Sequence, residues 1–143
     1  MGEEELEGAF ITKLNDIKVD KGNVMHALRN FDPGFCGFGE AYFSWVKSGA
    51  VKAWKLHKTN TMNLVVPFGL VKFVLFDEKS GVFRQEIIGL GNYARLTIPP
   101  QIWFGFKGVF EHQSLILSIS DHPHQPDEVE KADQNQFDFS WSD

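Results

Sequence analysis

The sequence is poor in several residue types, and each shortage excludes something. One cysteine, Cys36, stands among 143 residues, so an intrachain disulfide framework is impossible and a reducing compartment, the cytoplasm, is the expectation. A lone thiol in a glycine-rich loop reads as inert. Uncharged apolar stretches are short as well. The longest, Asn63 to Val71, falls far below the roughly 20 residues of a membrane helix, and no membrane partner is expected. Basic residues are the minority, 14 Lys and Arg against 19 Asp and Glu for a formal charge of −5. That balance argues against nucleic acid gripped by its backbone, while leaving room for a local basic pocket around one small anion. The opening "MGEEELEGAF" lacks the basic start and apolar core of a secretion signal, and Leu6 stands where a myristoylation signal needs Ser or Thr. Tyrosine is scarce too, with only Tyr42 and Tyr93.

Other aromatics are plentiful, with fourteen Phe and four Trp. They suit the core of a sandwich, a dimer interface, or a stacking surface for a base or sugar. No segment sustains helical periodicity. Instead, short alternating or continuous apolar runs ("AYFSWV", "VKAWKLHK", "NLVVPFG", "LVKFVLFD", "VFRQEIIG", "ARLTIPP", "SLILSIS") are separated by Gly-, Pro- and Asp-rich turns. Strands spaced in this way predict an antiparallel sandwich or jelly roll with little helix, in a single domain spanning 1–143. Two further elements are predicted. One is a hairpin joining "AFITKLNDIKV" to "VMHALRNF" through "DKGN"; the other is a short helix over Pro126 to Gln134, with acidic residues after its proline. Phe137, Phe139 and Trp141 alternate with polar residues and predict a terminal strand or a segment crossing to a partner subunit.

The chain order resembles a cupin barrel, whose usual metal ligands fall on Lys55, His57, Met62 and Phe104 here. Only His57 among these could coordinate in its usual form. No metal and no other cofactor is therefore expected. His122 and His124 flank a proline in "SDHPHQP" and read as solvated loop residues. A narrower resemblance runs from about Ile11 to Trp141. "GAVKAWK" and "IPPQIWFGF" lie on the frames of the dTDP-4-dehydrorhamnose 3,5-epimerase family, and "KAWKLHK" on that of the sugar 3,4-ketoisomerases. The resemblance implies a metal-independent epimerase or ketoisomerase acting on a nucleotide-activated 4-keto-6-deoxy sugar in cell-surface polysaccharide synthesis. It also implies a homodimer built by exchange of edge strands. The alternative is a cupin of the same descent that binds a nucleotide sugar without chemistry. Epimerases of this type pair a His base with a Tyr acid on a later strand, and "SLILSIS", the strand that should carry the acid, contains no tyrosine.

His57 and Lys55 lie two apart on one strand and so share a face. His57 is the candidate proton-moving group, with Lys55 stabilising an enolate oxygen beside it. Lys52 and Lys58 extend a positive run suited to a diphosphate, although lysines on alternate faces can meet one ligand only if the strand is bulged. Arg29 is a further candidate partner for phosphate. Glu40 and Tyr42 follow a glycine-rich loop where the resemblance places nucleotide-holding residues. Asn63 is a candidate for the pocket floor, and Trp103 and Phe104 for a narrowed or stacking wall.

Overall fold

The structure is a computed structural model that describes residues 6–142; Met1 to Glu5 of the acidic opening, and Asp143, lie outside the described residues. Strands alternate apolar residues because each must bury one face, and the chain resolves this by stacking two antiparallel sheets. Among the described residues, the first sheet runs β1 (Phe10–Lys13), β9 (Ala94–Ile98), β6 (Met62–Phe68), β11 (Ser114–Ser120) and β4 (Glu40–Val46). The second runs β12 (Val129–Lys131), β5 (Val51–His57), β10 (Trp103–Gly108), β7 (Leu70–Asp77) and β8 (Val82–Gly89). This is the antiparallel jelly-roll sandwich that the turn spacing predicts, of the cupin type that the resemblance implies. No helix among the described residues is long and apolar enough to cross a membrane.

The facing sides of the sheets supply the core. Met62, Leu64, Leu96 and Ile98 from the first sheet meet Val71, Phe73, Leu75 and Ile88 from the second. A fully buried Phe73 contributes about 2–3 kcal/mol by removal from water alone. The outer side of the second sheet carries its own aromatic layer, which accounts for the aromatic excess. Trp54 and Leu56 of β5, Val74 of β7 and Trp103 of β10 pack there against Phe137, Phe139 and Trp141. The Trp54 indole lies 5.4 Å from the rings of both Phe137 and Trp141 and donates a hydrogen bond to the Gln134 carbonyl. The C-terminal segment therefore folds back on its own chain as an irregular strap, where its alternation predicted a strand or a crossing to a partner.

Two other expectations are corrected. The predicted hairpin survives only as β2 (Asp16–Ile17) with β3 (Val24–Met25), because β1 pairs with β9 in the first sheet instead. The predicted helix over Pro126 to Gln134 is a single 3-10 turn at Pro126–Glu128. Beyond it the chain extends as β12, whose Val129 and Lys131 pair with His57 and Lys55 of β5. Open backbone groups on the edge of β5 outweigh the weak helical signal of so short a segment.

The loop between β3 and β4 is held to the outer side of the first sheet by a buried guanidinium. Arg95 is 0% exposed and donates to the Ala27 and Pro33 carbonyls at 2.7 Å each, with Asp32 at 3.8 Å. Asn63 completes this anchor. It accepts from the Thr97 hydroxyl at 2.6 Å and donates to the Gly34 carbonyl at 3.0 Å. Gly34 has φ of 89°, and a Cβ there would collide with Thr97 Oγ1, so only glycine permits so close an approach. Arg95→Met leaves two buried carbonyls without a donor and should destabilise the fold by about 2–4 kcal/mol, read from urea unfolding. A loss below about 0.5 kcal/mol would show that the loop does not depend on this anchor.

Candidate functional site

Between the sheets, near the edges formed by β4 and β12, lies a cavity with two adjoining compartments that share Tyr42, Lys55, Met62 and Lys131. The first, about 370 Å³, is floored by Leu64, Phe73, Phe104 and Ile116 and bordered by Lys52. The second, about 490 Å³, is walled by Glu40, His57, Asn60, Ser120, His124 and Glu128. Each is within the size range of small-ligand sites.

His57 closes β5, 8% exposed. As strand periodicity requires, His57 and Lys55 face inward while Leu56 and Trp54 face the outer aromatic layer. The His57 Nδ1 lies 2.8 Å from Glu128 Oε1. The other carboxylate oxygen accepts from the Thr59 and Asn60 amides at 3.1 and 2.9 Å. Burial opposes ionisation of Glu128, but the hydrogen bonds from His57, Asn60 and Thr59 outweigh it and hold its carboxyl below the ordinary range. An ionised carboxylate can only accept, so Nδ1 carries the proton and Nε2 presents its lone pair in the neutral ring. That Nε2 is buried and has no hydrogen-bond partner among the described residues. Phe104 lies nearly parallel to the imidazole, with centroids 6.1 Å apart and planes at 17°, and borders the first compartment.

A main-chain device fixes this end of β5. Gln101, in the turn between β9 and β10, adopts φ of 74°. Its backbone amide donates to the His57 carbonyl at 2.8 Å and its side-chain amide to the Lys58 carbonyl at 2.9 Å. The turn between β9 and β10 thereby holds the histidine's backbone.

Lys52 and Lys55, three residues apart, both border the cavity because β5 is bulged. Phe104 pairs with Lys55 and Phe106 with Lys52, so two residues of β5, Ala53 and Trp54, oppose Gly105 alone. Lys131 joins them as the cross-strand partner of Lys55. Lys52 donates to the Trp45 carbonyl at 2.8 Å and the Ser44 hydroxyl at 3.3 Å. Burial first, then the charges of Lys131 and Lys52, lower the pKa of Lys55, with Glu128 offsetting part of the effect. An acidic chain has thus gathered three ammonium groups around one hollow, an arrangement that attracts an anion. Among the described residues, no three His, Cys, Asp or Glu side chains converge as a metal ion would require.

The other sequence candidates divide. Glu40 and Tyr42 border the cavity from β4. Lys58 lies past the end of β5, 3.9 Å from Glu130 and outside the cavity. Arg29 pairs with Asp32 at 3.2 Å on the outer loop, its guanidinium 4.8 Å from the Phe31 ring. Asn63 alternates with core-facing Met62 and Leu64, so it serves the loop anchor on the far face. Trp103 faces the outer layer and donates to Glu78 at 3.0 Å. Sequence reasoning missed Glu128 and Lys131. Glu128 lies 71 residues from its histidine, and both were read as part of a helix.

No family model matches the chain. A probable low-salt glycan biosynthesis epimerase of Haloferax volcanii is 27% identical over 84 residues, and the matched stretch spans about half of each protein, 54%. The spore coat polysaccharide biosynthesis protein SpsL of Bacillus subtilis is 27% identical over 148 aligned residues, covering 96% of this chain and 97% of SpsL. The crystal structure of a dTDP sugar isomerase from Desulfovibrio desulfuricans G20 superposes with a TM-score of 0.91 at 40% identity, covering 95% of this chain and 92% of that one. With that identity over nearly the full length, and a buried histidine and carboxylate facing a lysine-lined hollow between the sheets, the chain belongs to the cupin family of nucleotide-sugar epimerases and isomerases.

Proposed function

We propose that this protein is an epimerase or ketoisomerase of a nucleotide-activated 4-keto-6-deoxy sugar, acting without a metal in the synthesis of cell-surface polysaccharide. The observation that carries the reading is the pair of His57 and Glu128, which both border the lysine-lined hollow and leave the imidazole Nε2 without a partner among the described residues. The relatives' roles in glycan and spore coat polysaccharide synthesis, and the dTDP sugar isomerase structure, support the substrate class.

The chemistry follows from the geometry. A hydrogen on carbon next to a ketone is acidic because the departing electron pair spreads onto oxygen. His57 Nε2 takes that proton, and Glu128 stabilises the resulting imidazolium through Nδ1–H. Lys55 faces the same space from two residues away and offsets the negative charge that grows on the ketone oxygen. Lys52 and Lys131 hold the diphosphate, and the apolar floor, with Phe104, packs the deoxy sugar or base. The free, exposed Cys36 suits a reducing cytoplasm.

The proposed enzyme is a homodimer. The inward residues of edge strand β4 face the cavity, while its outward side leaves Phe43 66% and Trp45 50% exposed. Apolar aromatics on an unpaired edge favour pairing with a second copy.

Three measurements test this reading. In deuterated water, the wild-type protein should place deuterium next to the ketone of dTDP-4-keto-6-deoxyglucose, and His57→Asn should lower that exchange by at least about 10²-fold. Binding without any exchange would identify a nucleotide-sugar-binding module instead. Glu128→Gln should slow exchange by about 10²-fold and lower stability at pH 7 by about 1–3 kcal/mol. Because the folded carboxyl titrates below its unfolded value of about 4.3, that stability difference is fully present above pH ~4.3 and disappears as pH falls through the lower folded value. A difference constant from pH 7 to pH 3 would refute the assigned ionisation. Trp45→Glu should turn a dimer into a monomer in light scattering; an unchanged assembly would place the interface elsewhere.

A further inference from the structure

The site as described takes a proton but does not say how one is returned to the opposite side of the sugar ring. Epimerisation needs that second group, because a base that restores its own proton to the same face regenerates the starting stereocentre. The donor must therefore stand on the wall facing His57. His57 and the three lysines all belong to the second sheet, on β5 and β12. The facing wall is built by the first sheet, and most of its cavity residues cannot serve as an acid. Met62, Leu64 and Ile116 have no ionisable proton, and the hydroxyls of Ser44 and Ser118 are far too weak.

Tyr42 of β4 borders both compartments, whereas Glu40 and His124, which lies on the exposed loop beyond β11, border only the second. Tyr42 pairs across the strands with Ser118 of β11. β11 is the strand on which the sequence lacks a tyrosine. We propose that Tyr42 is the catalytic acid of this enzyme, so that the proton donor comes from edge strand β4 and lies across the cavity from His57. The inference rests on the reading of the site as an epimerase.

The step balances without any oxidant or reductant. His57 Nε2 removes the ring proton, a C–H bond breaks, an N–H bond forms, and the electron pair passes to the enolate oxygen. The enolate carbon then takes the Tyr42 phenol proton on its other face, the O–H bond breaks, and the ketone is restored. Tyrosinate and imidazolium are left, and water returns one proton to the first and accepts one from the second. Tyr42 is 39% exposed, which gives solvent access for that exchange. Burial, chiefly, and the nearby Glu40 raise the pKa of Tyr42 against a hydrogen bond with Ser118, so the phenol enters the reaction protonated.

Tyr42→Phe keeps the ring and removes only the hydroxyl. With dTDP-4-keto-6-deoxyglucose in deuterated water, the variant should exchange the ring proton within about tenfold of the wild-type rate while forming inverted product at least about 10²-fold more slowly. That split between exchange and inversion is something a merely structural tyrosine would not produce. Inversion at the wild-type rate in Tyr42→Phe would overturn the assignment, and its simultaneous loss in Glu40→Gln would transfer the role to Glu40. Equal loss of exchange and inversion would also overturn it, because the residue would then act before the first proton leaves. Wild-type exchange with transfer of the keto group and no inverted centre would remove Tyr42 as the acid but leave His57 as the base. Absence of exchange in the wild type would remove the epimerase reading itself, and the Tyr42 assignment with it.

Discussion

The Glu128 carboxylate is the contact on which the arrangement depends. It accepts from an imidazole and two backbone amides at once, and it does so from the turn that leads into β12. A single group thus joins the end of β5 to the C-terminal strand, sets the histidine tautomer and orients the ring. Without this carboxylate the imidazole would be free to rotate, and the Thr59 and Asn60 amides would lose their side-chain acceptor. The alignment of β12 along β5 supports the same geometry through the main chain, since Val129 sits opposite His57 and the Lys58 amide donates to the Glu128 carbonyl at 2.8 Å.

Charge is distributed with the same economy. The chain is acidic as a whole, yet the hollow between the sheets collects Lys52, Lys55 and Lys131. Two of these reach it only because β5 holds an extra residue relative to β10. Burial first, and then the like charges of Lys131 and Lys52, depress the pKa of the most buried member, Lys55. That electrostatic tension is relieved when an anion enters, so empty and occupied cavities differ in energy in the direction that favours binding.

Much of this was legible in the sequence where the signal was local. Turn spacing was enough for the sandwich, and the period of a strand was enough to place His57 and Lys55 on one face. The requirement for a bulge before two lysines could share a ligand was also readable, and the structure supplies that bulge. Long-range pairings were not readable. Glu128 carries no mark beyond an acidic residue after a proline, and its use depends on β12 docking against β5. Asn63 and Trp103 were assigned to the cavity, but alternation sends both to the other side of their sheets, Asn63 to the loop anchor and Trp103 to the aromatic layer. Arg29 belongs to a loop whose position is fixed by buried Arg95, a contact that local sequence does not reveal.

The outer aromatic layer has a consequence for how such a site changes over time. On β5 the side chains of Trp54 and Leu56 pack into the outer layer and hold the strand in place, while Lys55 and His57 border the cavity. Mutations at 55 and 57 can therefore be sampled against a backbone secured from behind by the folded-back C-terminal segment. A lysine could enter at 55, where the cupin resemblance implies a ligating histidine, without the loss of cohesion that a substitution in the packed layer would bring. Inheritance of the scaffold and turnover of its reactivity are in this way assigned to opposite faces of the end of one short strand.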